Sequence, residues 1–97
     1  MYLNLLINLQ HQAKMTTSYD YTVYYENGDI DYCKKSKPFK LNELQAIIGG
    51  RIQILPTRGD PHKLTIVCED GAYTMQPNPC LPFYFGTILV ADQHLIE

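Results

Sequence analysis

The sequence predicts an α+β fold, a single small domain with a mostly antiparallel sheet packed against one main helix. Three observations carry that expectation. Apolar and polar residues alternate with a period of two over 19–26, 51–55 and 63–68, as half-buried strands require. The block 41–48 instead repeats at helical spacing. Turn-forming residues, Asn27-Gly28, Gly49-Gly50 and Glu69-Asp70-Gly71, separate these stretches.

Each element has its own local reason. Tyr19, Tyr21, Val23 and Tyr25 alternate with Asp20, Thr22, Tyr24 and Glu26, which puts Tyr24 on the face opposite Tyr19, Tyr21 and Tyr25. Asn27-Gly28 signals a hairpin, returning as Ile30-Asp31-Tyr32-Cys33. Leu41, Leu44, Ile47 and Ile48 share one helical face. Glu43 suits the first turn, Phe39 can staple to Leu44, and Gly49 can close the helix in the left-handed conformation. Strands follow at 51–55 and 63–68, joined by a turn-rich loop over 56–62. A short strand is expected at 72–75, then an irregular stretch over 76–82, where three prolines fall. Gly86 to Asp92 is apolar at both alternations through Ile88, Leu89 and Val90, the mark of a central strand buried on two faces. Ahead of the domain at 15–97, residues 1–14 form an extension. Its Tyr2, Leu5, Leu6, Leu9 and Ala13 predict an amphipathic helix.

Composition narrows the function. The chain has 97 residues, a formal charge of -2 and 19% charged side chains, which disfavours disorder and broad nucleic-acid binding. The first 14 residues are too short and polar to span a bilayer, and they lack the basic start of a signal peptide. No membrane association is expected. The three cysteines, Cys33, Cys68 and Cys80, form neither a CxxC pair nor an even framework, which suggests a reducing compartment. No metal site and no cofactor are expected, because the histidines and cysteines show no ligand spacing.

Several groups have the chemistry of a site. Gly49-Gly50 follows a helix instead of opening one, so it meets carbonyls and not the N–H groups that cradle phosphate. Lys34, Lys35, Lys37 and Lys40 read as a solvated connection, although Tyr32 and Phe39 among them suit stacking. Arg51, Arg58 and Lys63 flank the 56–62 loop and could converge on a phosphate, which guanidinium binds bidentately. Eight tyrosines and no tryptophan are unusual. Tyr24 and Tyr32 are candidate ligand-stacking residues, and Phe83-Tyr84-Phe85 is a candidate interface patch. No nucleophile, base and oxyanion group can be assembled, so an enzyme is not expected.

The stretch Leu44-Gln45-Ala46-Ile47-Ile48-Gly49-Gly50-Arg51-Ile52-Gln53 resembles the LQ-x-x-V-G-G-x-I-E signature of a family of small phage and mobile-element proteins of unknown function. The opening strand ending in Glu26-Asn27-Gly28, the Glu69-Asp70-Gly71 turn, Pro77-Asn78 and the closing Gly86-Thr87-Ile88-Leu89-Val90 are similar in order. Arg51 and Gln53 depart from the Tyr and Glu usual there. The resemblance covers residues 19–92 and implies action in a host cytoplasm, with counter-defence as the expected role. Two partners follow from it. The first is a small nucleotide-type immune signal, sequestered by a homo-oligomer; the alternative is a host defence protein, blocked through the aromatic patch.

Overall fold

A computed structural model describes residues 17–97. The helix expected over 1–14 lies outside the described residues. Five strands form one sheet: β1 (Tyr19–Tyr24), β2 (Ile30–Lys35), β3 (Ile52–Thr57), β4 (Asp60–Cys68) and β5 (Ile88–Asp92). Helix α1 (Leu41–Ile48) connects β2 to β3, and a four-residue helix α2 (Gly71–Thr74) follows β4. The chain closes with a 3-10 turn, Gln93–Leu95. Strand order is β2-β1-β5-β4-β3, and every neighbouring pair is antiparallel. The last strand therefore inserts in the middle, as its two-sided apolar character predicts.

The first hairpin turns on Gly28, the only residue of its loop with a positive φ, at 99°. Gly28 N–H donates to Tyr25 O at 2.9 Å and Tyr25 N–H donates to Asp29 O at 2.8 Å. That pattern is a three-residue loop with a glycine bulge, not a two-residue turn needing positive φ at both Asn27 and Gly28. The Asn27 side chain instead accepts the Asp29 N–H at 2.9 Å, an Asx turn.

Helix α1 begins after Lys40, whose N–H donates to the Glu43 carboxylate at 2.8 Å. Lysine has no acceptor to complete the reciprocal half of a capping box, so Glu43 N–H turns to Lys40 O at 3.0 Å. Phe39 and Leu44, on either side of the cap, are both buried in the core. Gly49 ends the helix at φ 91°, its N–H donating to Gln45 O at 2.8 Å. Leu44 and Ile48 pack against Val23, Ile66, Leu89, Ala91 and Leu95 on one sheet face, with Tyr19, Tyr21 and Tyr25 at its margin. Burial of side chains this size stabilises by about 1.5–3 kcal/mol each. Leu41, at the first helical position, is 60% exposed and does not join them.

Two expectations fail in the second half. The 56–62 segment is not a loop, because β3 runs through Pro56-Thr57 and β4 starts at Asp60, leaving a turn at Arg58-Gly59. Gly59 takes φ 83° there, and the register shifts between Pro56 and Thr57. Both prolines are tolerated because β3 is an edge strand and Pro61 falls where the ladder is broken. Residues 72–75 form no strand. Met75 N–H donates to Gly71 O at 2.8 Å, and the Thr74 hydroxyl to Asp70 O at 3.2 Å, a single helical turn.

Candidate functional site

The sheet has two faces, and helix α1 covers only one. On the other, Thr22, Val90 and Thr65 lie in one row across β1, β5 and β4, set by the pairings Thr22↔Val90 and Thr65↔Val90. Tyr24 stands one step along from Thr22, paired with Ile88. This face is walled by the segment between α2 and β5, whose architecture depends on one side chain. Asn78 is fully buried. Its amide nitrogen donates to Tyr24 O at 3.0 Å and Gly86 O at 2.8 Å, and its oxygen accepts from Cys80 N at 2.9 Å and Leu81 N at 3.1 Å. Both amide protons and both lone pairs are thus used, and the segment is tied to the end of β1.

Its base is closed by Gly86 N–H donating to Gln76 O and Asn78 N–H to Tyr84 O, each at 2.8 Å. Tyr84 N–H donates to Leu81 O at 2.9 Å, so Leu81-Pro82-Phe83-Tyr84 is a β-turn with proline at its second position, where the ring pre-sets φ. The turn splits the aromatic triplet. Phe83, at the turn's tip, is 86% exposed and borders the groove at its rim. Tyr84 lines the groove beside the sheet. Phe85 pairs with Pro77, and its Cβ and carbonyl lie against Gly71. The expected patch of Phe83, Tyr84 and Phe85 is therefore divided, with Phe83 and Tyr84 on the groove and Phe85 bridged to Pro77.

Between wall and sheet lies a cavity of about 540 Å³. Tyr24, Leu81, Tyr84 and Val90 supply apolar lining, and Arg58, Asp60 and Lys63 stand at the β3–β4 end. The Thr57 and Thr65 hydroxyls, 2.8 Å apart, form a polar spot between them. Arg58 has no carboxylate within salt-bridge distance among the described residues, whereas Lys63 lies 4.0 Å from Asp60. Asp60 is itself held by the His62 N–H, donated to its other oxygen at 3.0 Å. Partial burial pushes the Tyr24 phenol above its usual range, with Tyr32 and Cys80 adding to the effect, so its hydroxyl stays a neutral donor.

A second, shallower hollow of about 410 Å³ shares Tyr24 and Lys63 with the first and adds Tyr32, Asp20 and Lys34. Tyr32 is 80% exposed on the edge strand. Lys34 pairs with Asp20 at 3.5 Å, and Lys35 with Glu43 at 3.8 Å while lying over the Phe39 ring. The lysine run is thus partly neutralised by its neighbours.

Arg51 does not converge with Arg58 and Lys63. It precedes β3 while Arg58 follows it, and a six-residue strand separates such ends by about 20 Å. Arg51 Nη2 lies 3.2 Å from Asp70 and Nε 3.5 Å from Glu69, bracing the turn after β4. These carboxylates raise its pKa further above the usual arginine value. Of the five candidate ligand residues, Tyr24, Arg58 and Lys63 share the main groove, Tyr32 borders the adjoining hollow, and Arg51 stands apart. Thr57, Thr65, Leu81 and Val90 also line the groove. For Thr65 and Val90 the signal was strand parity, since each alternates with core residues on its own strand.

Among the described residues no three His, Cys, Asp or Glu side chains gather as a metal site would require. No helix among them is long and apolar enough to cross a membrane. Comparison with protein-family models, with curated proteins and with solved structures finds no match to this chain.

Proposed function

We propose that this chain is a non-catalytic binding protein that takes a small nucleotide-type ligand in the groove between the open sheet face and the 76–87 segment. One observation carries the reading. Tyr24, Arg58, Lys63 and Tyr84, far apart in sequence, line a single cavity of about 540 Å³. That volume lies in the range of about 300–1,000 Å³ over which small-molecule sites are found. Aromatic rings along the walls offer stacking to a base, and the Arg58 guanidinium, which has no carboxylate partner among the described residues, offers a fork for phosphate. The threonine pair can exchange hydrogen bonds with a sugar or base edge.

The phage and mobile-element setting implied by the Leu44–Gln53 resemblance makes sequestration of a host immune signal the use of such a groove, with the chain acting as a homo-oligomer in the host cytoplasm. Native mass spectrometry of the full chain with adenine and guanine nucleotides tests the binding and the assembly together. A retained nucleotide, lost in Arg58→Ala and Tyr84→Ala, supports the reading. Absence of any nucleotide complex at millimolar ligand rejects it.

A second reading has its own observation. Phe83 and Tyr32 are 86% and 80% exposed, as large aromatics in protein-binding surfaces often are when free. A host defence protein captured through these rings would be lost in Phe83→Ala and Tyr32→Ala; because Phe83 also lines the groove, Arg58→Ala separates the two readings, losing nucleotide while leaving that capture intact.

A further inference from the structure

We infer that the groove selects phosphodiesters, which carry one negative charge per phosphate, over phosphomonoesters, which carry two. The inference rests on the nucleotide reading above and concerns the charge at the β3–β4 end of the same cavity.

Three ionised groups stand there, Arg58, Lys63 and Asp60. Asp60 is not a passive neighbour. Its Oδ1 accepts the His62 N–H at 3.0 Å, which fixes the carboxylate, and its Oδ2 lies 4.0 Å from Lys63 Nζ. Lys63 therefore meets its countercharge within the protein, and the net positive charge offered to a ligand is that of Arg58. A phosphodiester matches it with one charge and two free oxygens, the geometry guanidinium takes bidentately. A phosphomonoester at pH 7.5 brings close to two charges, its second pKa being about 6. The second charge finds Lys63 already compensated and Asp60 close by, so it gains no attraction while still losing hydration.

Lys63 sits where both hollows meet, since it lines each of them. The adjoining hollow repeats the arrangement, with Asp20 3.5 Å from Lys34. A ligand reaching from one hollow to the other meets lysines that already have carboxylate partners, which again disfavours added charge.

The test compares two probes with the same base and sugar, adenosine 3′,5′-cyclic monophosphate and adenosine 5′-monophosphate, by calorimetric titration into the full chain at pH 7.5. The wild-type chain should bind the cyclic diester more tightly. Asp60→Asn keeps an oxygen for the His62 N–H while removing the charge, so the turn is preserved. It should lower the diester-to-monoester affinity ratio about fourfold, the worth of one unit charge at about 5 Å in water. A wild-type ratio of one or below, or an unchanged ratio in Asp60→Asn with both probes binding, overturns the selectivity and leaves the nucleotide reading standing. Failure of both probes to bind overturns the selectivity and the nucleotide reading together.

Discussion

Replacing Asn78, a fully buried polar side chain, with alanine should remove a large share of the fold's stability. The side chain makes four hydrogen bonds of 2.8 to 3.1 Å from a fully buried position. A typical bond contributes about 1 kcal/mol net, and each buried partner left unsatisfied costs about 1–3 kcal/mol. Water entering the vacated space recovers part of this, which leaves an expected loss of about 4 kcal/mol. A chain of this length has only about 5–15 kcal/mol in total, and the loss corresponds to a fall of roughly 15–30 °C in Tm. Urea denaturation followed by circular dichroism gives the difference directly from the midpoint and slope. Asn78→Asp adds a sign test. It keeps both acceptors for Cys80 and Leu81 but sets a carboxylate against the carbonyls of Tyr24 and Gly86. Burial beside those carbonyls raises the folded-state pKa of the new carboxyl. Its protonated form can donate, so Asn78→Asp should gain stability relative to the wild type as pH falls from 7 to 5. A loss below 1 kcal/mol for Asn78→Ala would refute the claim that this amide holds the groove wall.

Three further outcomes follow from the same structure. Gly86→Ala should destabilise by about 2 kcal/mol or more, because Gly86 holds φ 78° and an added Cβ would run into the Met75 sulfur; calorimetric melting of Gly86→Ala with and without Met75→Ala separates the clash from the backbone strain. Arg51→Ala should leave the melting temperature almost unchanged, since its ion pairs are exposed, and should leave nucleotide affinity unchanged when measured beside Arg58→Ala. Acid titration should show stability retained above about pH 4 and lost below it, as Asp92 and Glu43 protonate. The His94 backbone and ring hold the Asp92 carboxyl below its usual range, and the Lys40 N–H does the same for Glu43, so both carboxylates favour the folded state until pH falls through their lowered values. Asp92→Asn should make that acid limb shallower.

Local chemistry made the fold largely legible. The hairpin at Asn27-Gly28, the limits of α1 at Phe39 and Gly49, and the central place of β5 each follow from patterns within a few residues. Pro56 and Pro61 read as breakers in the sequence, whereas the fold tolerates Pro56 on the edge strand β3 and Pro61 where the β3–β4 ladder is interrupted. The turn at 72–75 reads as a strand in the sequence because four residues are too few to separate period two from a helical turn. Within the groove, the outward direction of Tyr24 could be read from its parity with Val23. The separation of Arg51 from Arg58 was also readable, since residues flanking one strand stand at its opposite ends. Asn78 was not legible as a buried pin. Its partners lie on β1 and on both arms of its own segment, and only the folded chain brings those carbonyls to one amide.

The groove as the ligand site is tested most directly by NMR titration of adenosine 3′,5′-cyclic monophosphate into the ¹⁵N-labelled full chain. Saturable shifts should centre on the amides of Tyr24, Arg58, Thr65, Leu81, Tyr84 and Val90, with Gly49 to Arg51 unmoved. Shifts centred at the Arg51 end of the sheet, or none at millimolar nucleotide, would contradict the account.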